Sequence, residues 1–250
     1  MLRMNLSTIS KRIAMTKHQL SWTKFIPVVL SKIAMKLFDR QMIPSFSQFG
    51  EDRIIENIFG NKTRGFYVDV GCNLPITYSN TWKLYLKGWH GIAIDANPNI
   101  ISEYQKVRPK DIAVSRVISN KNETVEFYFS NTSHLISGIG EKSEGHWKRS
   151  AENSNIVKCK SAKLYDILQE HSVSHDFDLL TIDTEGNELQ VLESIDLDTF
   201  RPSLIVVEIH NFDFSNPGLN SVYKMLSKRG YRIKSYTNPT AFFVLCDGNG

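Results

Sequence analysis

Asp69 lies inside the apolar run Gly65-Phe66-Tyr67-Val68-Asp69-Val70-Gly71-Cys72-Asn73. A carboxylate among valines is costly to desolvate, so it implies a partner. Gly71 follows, where a backbone without Cβ can bend sharply and lie close to a ligand. A second run, Gly91-Ile92-Ala93-Ile94-Asp95-Ala96-Asn97, ends in another acid. A carboxylate there accepts hydrogen bonds from two ribose hydroxyls. The turn Gly71-Cys72-Asn73-Leu74-Pro75 has one glycine, whereas pyrophosphate calls for Gly-x-Gly-x-x-Gly at a helix start. Asp69 would repel pyrophosphate but suits an ammonium and a sulfonium. S-adenosylmethionine carries both and no phosphate. The pattern predicts that ligand rather than NAD, with Asp69, Gly71, Asn73, Asp95 and Ala96 at its site. The bland reading is an α/β protein that binds nothing there, with Asp69 merely ending a strand.

A second set of polar groups closes two later apolar runs. Leu179-Leu180-Thr181-Ile182 runs into Asp183, followed by Thr184-Glu185-Gly186-Asn187-Glu188. Leu204-Ile205-Val206-Val207 runs into Glu208 and His210. In an open parallel sheet, substrates bind at the carboxyl ends of the strands. Asp183, Glu185, Glu208 and His210 are the candidates there.

The elements that must carry these groups emerge from period and punctuation. Strands are expected near 66, 91, 111, 179, 204, 231 and 241, with helices between most of them. The last two form a hairpin across Thr237-Asn238-Pro239-Thr240. Ser47 is read as a helix cap, with Glu51 and Asp52 in the first turns. Pro98 opens a helix after the second strand, and Leu219 to Arg229 is another, closed by Gly230. Thr124–Phe129 and Ile156–Lys160 read as strands outside the parallel core. Residues 130–155 lack a strong period and read as a loop, an active-site lid with His134, His146 and Trp147.

The chain has 250 residues and a net charge of +4. Residues 1–44 hold eight lysines and arginines against one aspartate, which leaves −3 for the rest. The organisation expected is a basic, partly disordered helical extension over 1–44 and one catalytic domain over 45–250. A helix over 23–42 is read as an accessory helix, or else as a contact to an anionic membrane surface. The mildly acidic main domain does not look like a nucleic-acid binder. No long apolar run predicts a transmembrane helix. Cys72, Cys159 and Cys246 are far apart and form no metal or disulfide pattern, which fits a cytoplasmic protein, at most peripheral at the inner face of a membrane.

The sequence resembles the FkbM-type S-adenosylmethionine-dependent methyltransferases from about Ser47 to Cys246. The resemblance rests on Ser47-Gln48-Phe49-Gly50-Glu51-Asp52, Gly65–Asn73, Ser79-Asn80-Thr81, Gly88–Pro98 and Leu180–Glu188 in this order. Two positions depart from the pattern: Cys72 stands where Ala is common, and Asp95 where Glu is. The resemblance implies a Rossmann-like seven-stranded α/β sheet. It also implies methyl transfer to a hydroxyl of a sugar, glycan or related small molecule.

Such a transfer is an in-line displacement that needs positioning and removal of the hydroxyl proton. In one reading Asp183 or His210 serves as base, with Glu185 also at the catalytic site, and no metal is used. In another, Asp183 and Glu208, with His210, hold magnesium or manganese. In a third the cluster is structural, Glu185 capping its helix and Glu208 making a hydrogen bond. Two other functions stay open at this point. One is an inactive binding module of the same fold. The other is a nicotinamide-dependent oxidoreductase, against which the missing glycines count.

Overall fold

The computed structural model describes residues 44–130, 137–139 and 154–246, and Leu30. His134, His146, Trp147 and, Leu30 apart, the helix expected over 23–42 lie outside the described residues. The chain divides into two units, Met1–Ser45 and Phe46–Gly250. The second unit carries both sheets and the helices that flank them.

Its first half runs α1 (Glu51–Phe59), β1 (Phe66–Val70), α2 (Trp82–Lys87), β2 (His90–Asp95), α3 (Pro98–Val107), β3 (Ile112–Ser115), β4 (Val117–Ile118), β5 (Thr124–Ser130) and β6 (Ser137–Ile139). The second half runs β7 (Ser154–Ala162), α4 (Leu164–Glu170), β8 (Leu179–Ile182), α5 (Glu188–Glu193), β9 (Leu204–Glu208), α6 (Ser221–Lys228), β10 (Tyr231–Thr237) and β11 (Thr240–Leu245).

Seven strands form one sheet in the order β10-β11-β9-β8-β1-β2-β3. Neighbours from β9 to β3 are parallel, and β11 runs antiparallel to β9 and β10. This is the Rossmann-like sheet with a terminal hairpin that the strand spacing predicts. Connection order reverses at the β1–β8 pair, so a crevice forms outside their carboxyl ends.

Alternation along the strands divides the core. Val68, Val70, Ile92, Ile94, Leu180, Ile182, Ile205 and Val207 are buried with α4 and α5 residues on one face. Tyr67, Leu179, Leu204, Val206 and Phe242 pack with Ile55, Leu84 and Trp89 on the other. Each such side chain contributes about 1.5–3 kcal/mol by leaving water. Asp69 shares the face of Tyr67, because side chains two apart point the same way.

A second sheet has the order β4-β7-β5-β6. It contains the strands expected at 124 and 156. The reading of 130–155 as loop alone needs one correction: Ser137–Ile139 is a strand, paired with Phe127–Phe129. It is illegible in the sequence because three residues of Ser, Gly and Ile carry no period. The expected cap also shifts. The N-cap of α1 is Gly50, in a left-handed conformation with φ 91. Ser47 still accepts the Asp52 amide at 3.1 Å, and its hydroxyl reaches the Asp52 carboxylate. It thus braces the turn from outside the helix. At the other end of the chain, α6 begins at Ser221, where the Asn220 side chain accepts the Tyr223 amide at 2.9 Å. Among the described residues no helix is long and apolar enough to cross a membrane.

Candidate active site

The turn after β1 is tied to the end of β2. The amides of Gly71 and Cys72 both donate to the Ile94 carbonyl, at 2.9 and 3.1 Å. Gly71 has φ 75, and a Cβ there would lie 1.7 Å from the Asp183 carbonyl oxygen. Only glycine lets the β1 turn come so close to the end of β8. Asn73 is also left-handed, at φ 48. Its amide donates to Asp95 at 3.3 Å, and the Asn97 amide donates to the other Asp95 oxygen at 2.8 Å. Burial pushes the Asp95 carboxyl up to about 6 against these two amides. Ala96 packs beside Val117 and Phe127 of the second sheet. Gly71, Asn73, Asp95 and Ala96 are thus brought to one edge of the sheet.

Asp69 is also at this edge, but it points under the loop after β1. It is 4% exposed, and the Thr81 hydroxyl donates to it at 2.7 Å. Burial pushes it up to about 6, opposed by Thr81 and by Arg108. Nothing in the sequence singles out Arg108. It sits in Lys106-Val107-Arg108-Pro109-Lys110, which reads as a solvated charge run. In the fold it is fully buried, with its guanidinium against the rings of Trp82, Tyr85 and Tyr104. The signal for it lies in the aromatic residues of α2 and α3, not in its own neighbours.

The ends of β8 and β9 gather the second set. The Asp183 amide donates to the Val70 carbonyl at 2.9 Å, which seats Asp183 beside the β1 turn. Asp183 is exposed, with acids around it. Burial, then the charges of Glu208, Glu185, Glu188 and Asp69, push it well above the usual range. Glu185 stands in a left-handed turn at φ 55. Burial and the neighbouring Glu208 raise it to about 7. Glu208 lies 3.2 Å from His210 Nε2. Burial raises its carboxyl, and His210 opposes that. That oxygen of Glu208 is buried, and among the described residues it has no hydrogen-bond partner.

The structural reading of Glu185 as a cap is corrected. The N-cap is Asn187, with no side-chain cap, and Glu188 instead braces the preceding turn by accepting the amides of Thr184 and Gly186 at 3.1 and 2.9 Å. Glu185 is left without a capping task. Among the described residues no three His, Cys, Asp or Glu side chains are grouped to hold an ion.

A sheet with its switch point at β1–β8, a glycine turn and an acid closing β2 make a nucleoside site. A family model described as a methyltransferase FkbM domain matches residues 69–233. The chain belongs to the FkbM methyltransferase family. It is accordingly an S-adenosylmethionine-dependent methyltransferase. The match begins at Asp69 and takes in every candidate site residue of this FkbM methyltransferase. No curated protein matches the chain. Two solved structures are similar. One is a TehB-like SAM-dependent methyltransferase from Corynebacterium glutamicum, 12% identical, covering 79% of this chain and 88% of its own, with a TM-score of 0.40. The other is the small RNA methyltransferase HEN1, 14% identical, covering 83% of this chain and 27% of its own, with a TM-score of 0.37.

Proposed function

We propose that this FkbM methyltransferase transfers a methyl group to a hydroxyl of a sugar, glycan or related small molecule, without a metal. The observation that carries the reading is the crowded acid and histidine cluster at the ends of β8 and β9. Neighbouring carboxyls resist ionising together, so these acids hold their protons more tightly than isolated ones. Glu185, at about 7, and His210, beside Glu208 at 3.2 Å, are the groups placed to accept a hydroxyl proton. Asp183 shares the same field of charge.

The residues at the other edge fit the methyl donor. Asp95 offers a carboxylate to ribose hydroxyls, and Asp69 offers one to the ammonium group. Gly71, Asn73 and Ala96 form the wall between them. When bound, S-adenosylmethionine supplies a methyl carbon on a sulfonium. The protein's part is to hold the acceptor in line with that carbon and to take the proton.

A ring-shaped acceptor has further support. Phe214 is 60% exposed and meets Phe212 and Tyr236 edge-on, with centroids at 4.8 and 5.2 Å. The Tyr236 hydroxyl donates to the Ile209 carbonyl at 3.0 Å, which keeps this aromatic group next to His210. Ring faces beside carboxylates offer a sugar both an apolar face and hydrogen-bond acceptors. The mildly acidic charge outside residues 1–44 does not favour a nucleic-acid acceptor.

The test is label transfer from methyl-labelled S-adenosylmethionine to a panel of methyl glycosides, with and without EDTA. Label on a glycoside hydroxyl that survives EDTA is the expected result. Loss of activity on chelation, restored by magnesium or manganese, would overturn the metal-free part. Label found only on nitrogen or carbon acceptors would overturn the hydroxyl assignment.

A further inference from the structure

Arg108 is fully buried, and a guanidinium in such a place is costly unless its donors are met. Among the described residues one carboxylate lies within ion-pair distance, Asp111 at 3.6 Å. That acid is itself engaged by the Tyr67 hydroxyl at 2.6 Å and the Gly91 amide at 3.0 Å. The hydrogen bonds of Arg108 go instead to the loop between β1 and α2. Nε donates to the Pro75 carbonyl at 2.7 Å, and Nη2 reaches the same oxygen. Nη2 also donates to the Ser79 hydroxyl at 2.6 Å, and Nη1 to the Thr81 hydroxyl at 2.8 Å. Thr81 has only one proton to give, and it gives it to Asp69.

The result is a relay. The cation fixes the direction of the Thr81 hydroxyl, and the hydroxyl fixes the Asp69 carboxylate. The same fork grips the loop at both ends, at Pro75 and at Ser79. We propose that Arg108 is a positioning residue for the methyl donor, acting through Thr81 to keep Asp69 ionised and oriented at the donor site. This role rests on the reading that Asp69 faces the donor. Other groups around Asp69 act against it or are neutral. Asp111 and Asp95 repel its charge, Asp183 adds to the same field, and Cys72 and Tyr104 are buried beside it. Arg108 is the cation that offsets them.

The test is calorimetric titration of the full chain with S-adenosylmethionine from pH 5.5 to pH 9, for the unmodified protein, Arg108→Gln and Thr81→Val. Without the relay Asp69 binds its proton at higher pH. The ratio of variant to unmodified dissociation constants should therefore be largest at the acid end of the range, at about tenfold or more, since each unit of displacement is about tenfold in affinity. It should fall back toward unity by pH 9, where Asp69 is ionised in both. The ligand's own amine titrates equally in both arms and cancels. A ratio that is raised but flat with pH marks a merely structural lesion and overturns the proposal, as does an unchanged affinity. If Arg108→Gln does not fold, Thr81→Val decides by the same criterion. Asp69→Asn separates the two readings. If it leaves affinity intact, the placing of Asp69 at the donor fails. If it weakens binding while Thr81→Val shows no pH-dependent change, only the Arg108 relay fails.

Discussion

The two edges of the crevice both carry acids, but their surroundings are opposite. At the ends of β1 and β2 each acid has donors of its own. Asp69 has the Thr81 hydroxyl, and Asp95 has the amides of Asn73 and Asn97. At the ends of β8 and β9 the acids mostly face one another. Asp183 is raised by Glu208 and Glu185, and Glu185 by Glu208, while His210 lies 3.2 Å from Glu208. The first edge is built to keep fixed charges in fixed places, as an unchanging ligand requires. The second holds acids whose protons are retained to higher pH, as the proposed proton transfer requires. The same α/β strand ends serve both purposes, and what differs is the supply of hydrogen-bond donors.

The sharpest way to break this contrast is to neutralise the second edge. Asp183→Asn or His210→Gln should lower turnover by about 10²-fold or more if the residue takes the proton. Affinity for S-adenosylmethionine should change little, because neither side chain belongs to the first edge. Label-transfer kinetics and calorimetry on the same samples check both halves. A large loss of affinity with normal turnover would mean that the two edges are not separate in function.

The mirror experiment is at β2. Asp95→Ala should weaken S-adenosylmethionine binding by about 1–3 kcal/mol, the range of charge-assisted hydrogen bonds, or roughly 5- to 150-fold. Asp95→Glu should be milder, since it keeps the charge. Here turnover at saturating donor should stay within a few-fold of normal. Unchanged affinity in Asp95→Ala would remove the ribose assignment from the end of β2.

The two edges should also titrate apart. Asp69 and Asp95 lie near pKa 6 and must be ionised to bind a cation and hydroxyls. Donor affinity should therefore be present above that pH and fall as pH drops through about 6. A base is active without its proton, so turnover carried by Glu185 should rise with pH through about 7. Each limb should approach about tenfold per pH unit below its midpoint. Turnover and donor affinity measured across pH 5–9 check this. Coincident midpoints would show that one group governs both.

Much of this contrast is legible in the sequence, but unevenly. The seven strands announce themselves through alternating apolar residues, and Asp95, Asp183 and Glu208 through their place at the ends of those runs. Rules that depend on neighbours in sequence work. What fails depends on neighbours in space. Arg108 looks like one charge among Lys106 and Lys110, and only the packing of α2 against α3 reveals its three aromatic rings. Glu185 and Glu188 are equally acidic in sequence, and which of them braces the turn before α5 is decided by a left-handed turn. Ser47 fits the rule for a cap, but Gly50 takes the position because its φ of 91 suits glycine.

The smallest expected effect tests how far the second edge extends. Phe214 makes no contact that the core needs, being 60% exposed at the tip of the aromatic group after β9. Phe214→Ala should therefore leave the melting temperature and donor affinity near those of the unmodified protein. If Phe214 meets the acceptor's ring face, its loss should raise the acceptor KM by roughly 2- to 10-fold, the worth of one aromatic contact. Phe214→Trp, which keeps a ring face, should restore most of it. Turnover at saturating acceptor should hold, because Phe214 takes no part in removing the proton. A lowered turnover with unchanged KM would mean that Phe214 acts on the chemistry through His210, and the second edge would then extend beyond its charged groups. An acceptor KM that does not move would confine the second edge to Asp183, Glu185, Glu208 and His210.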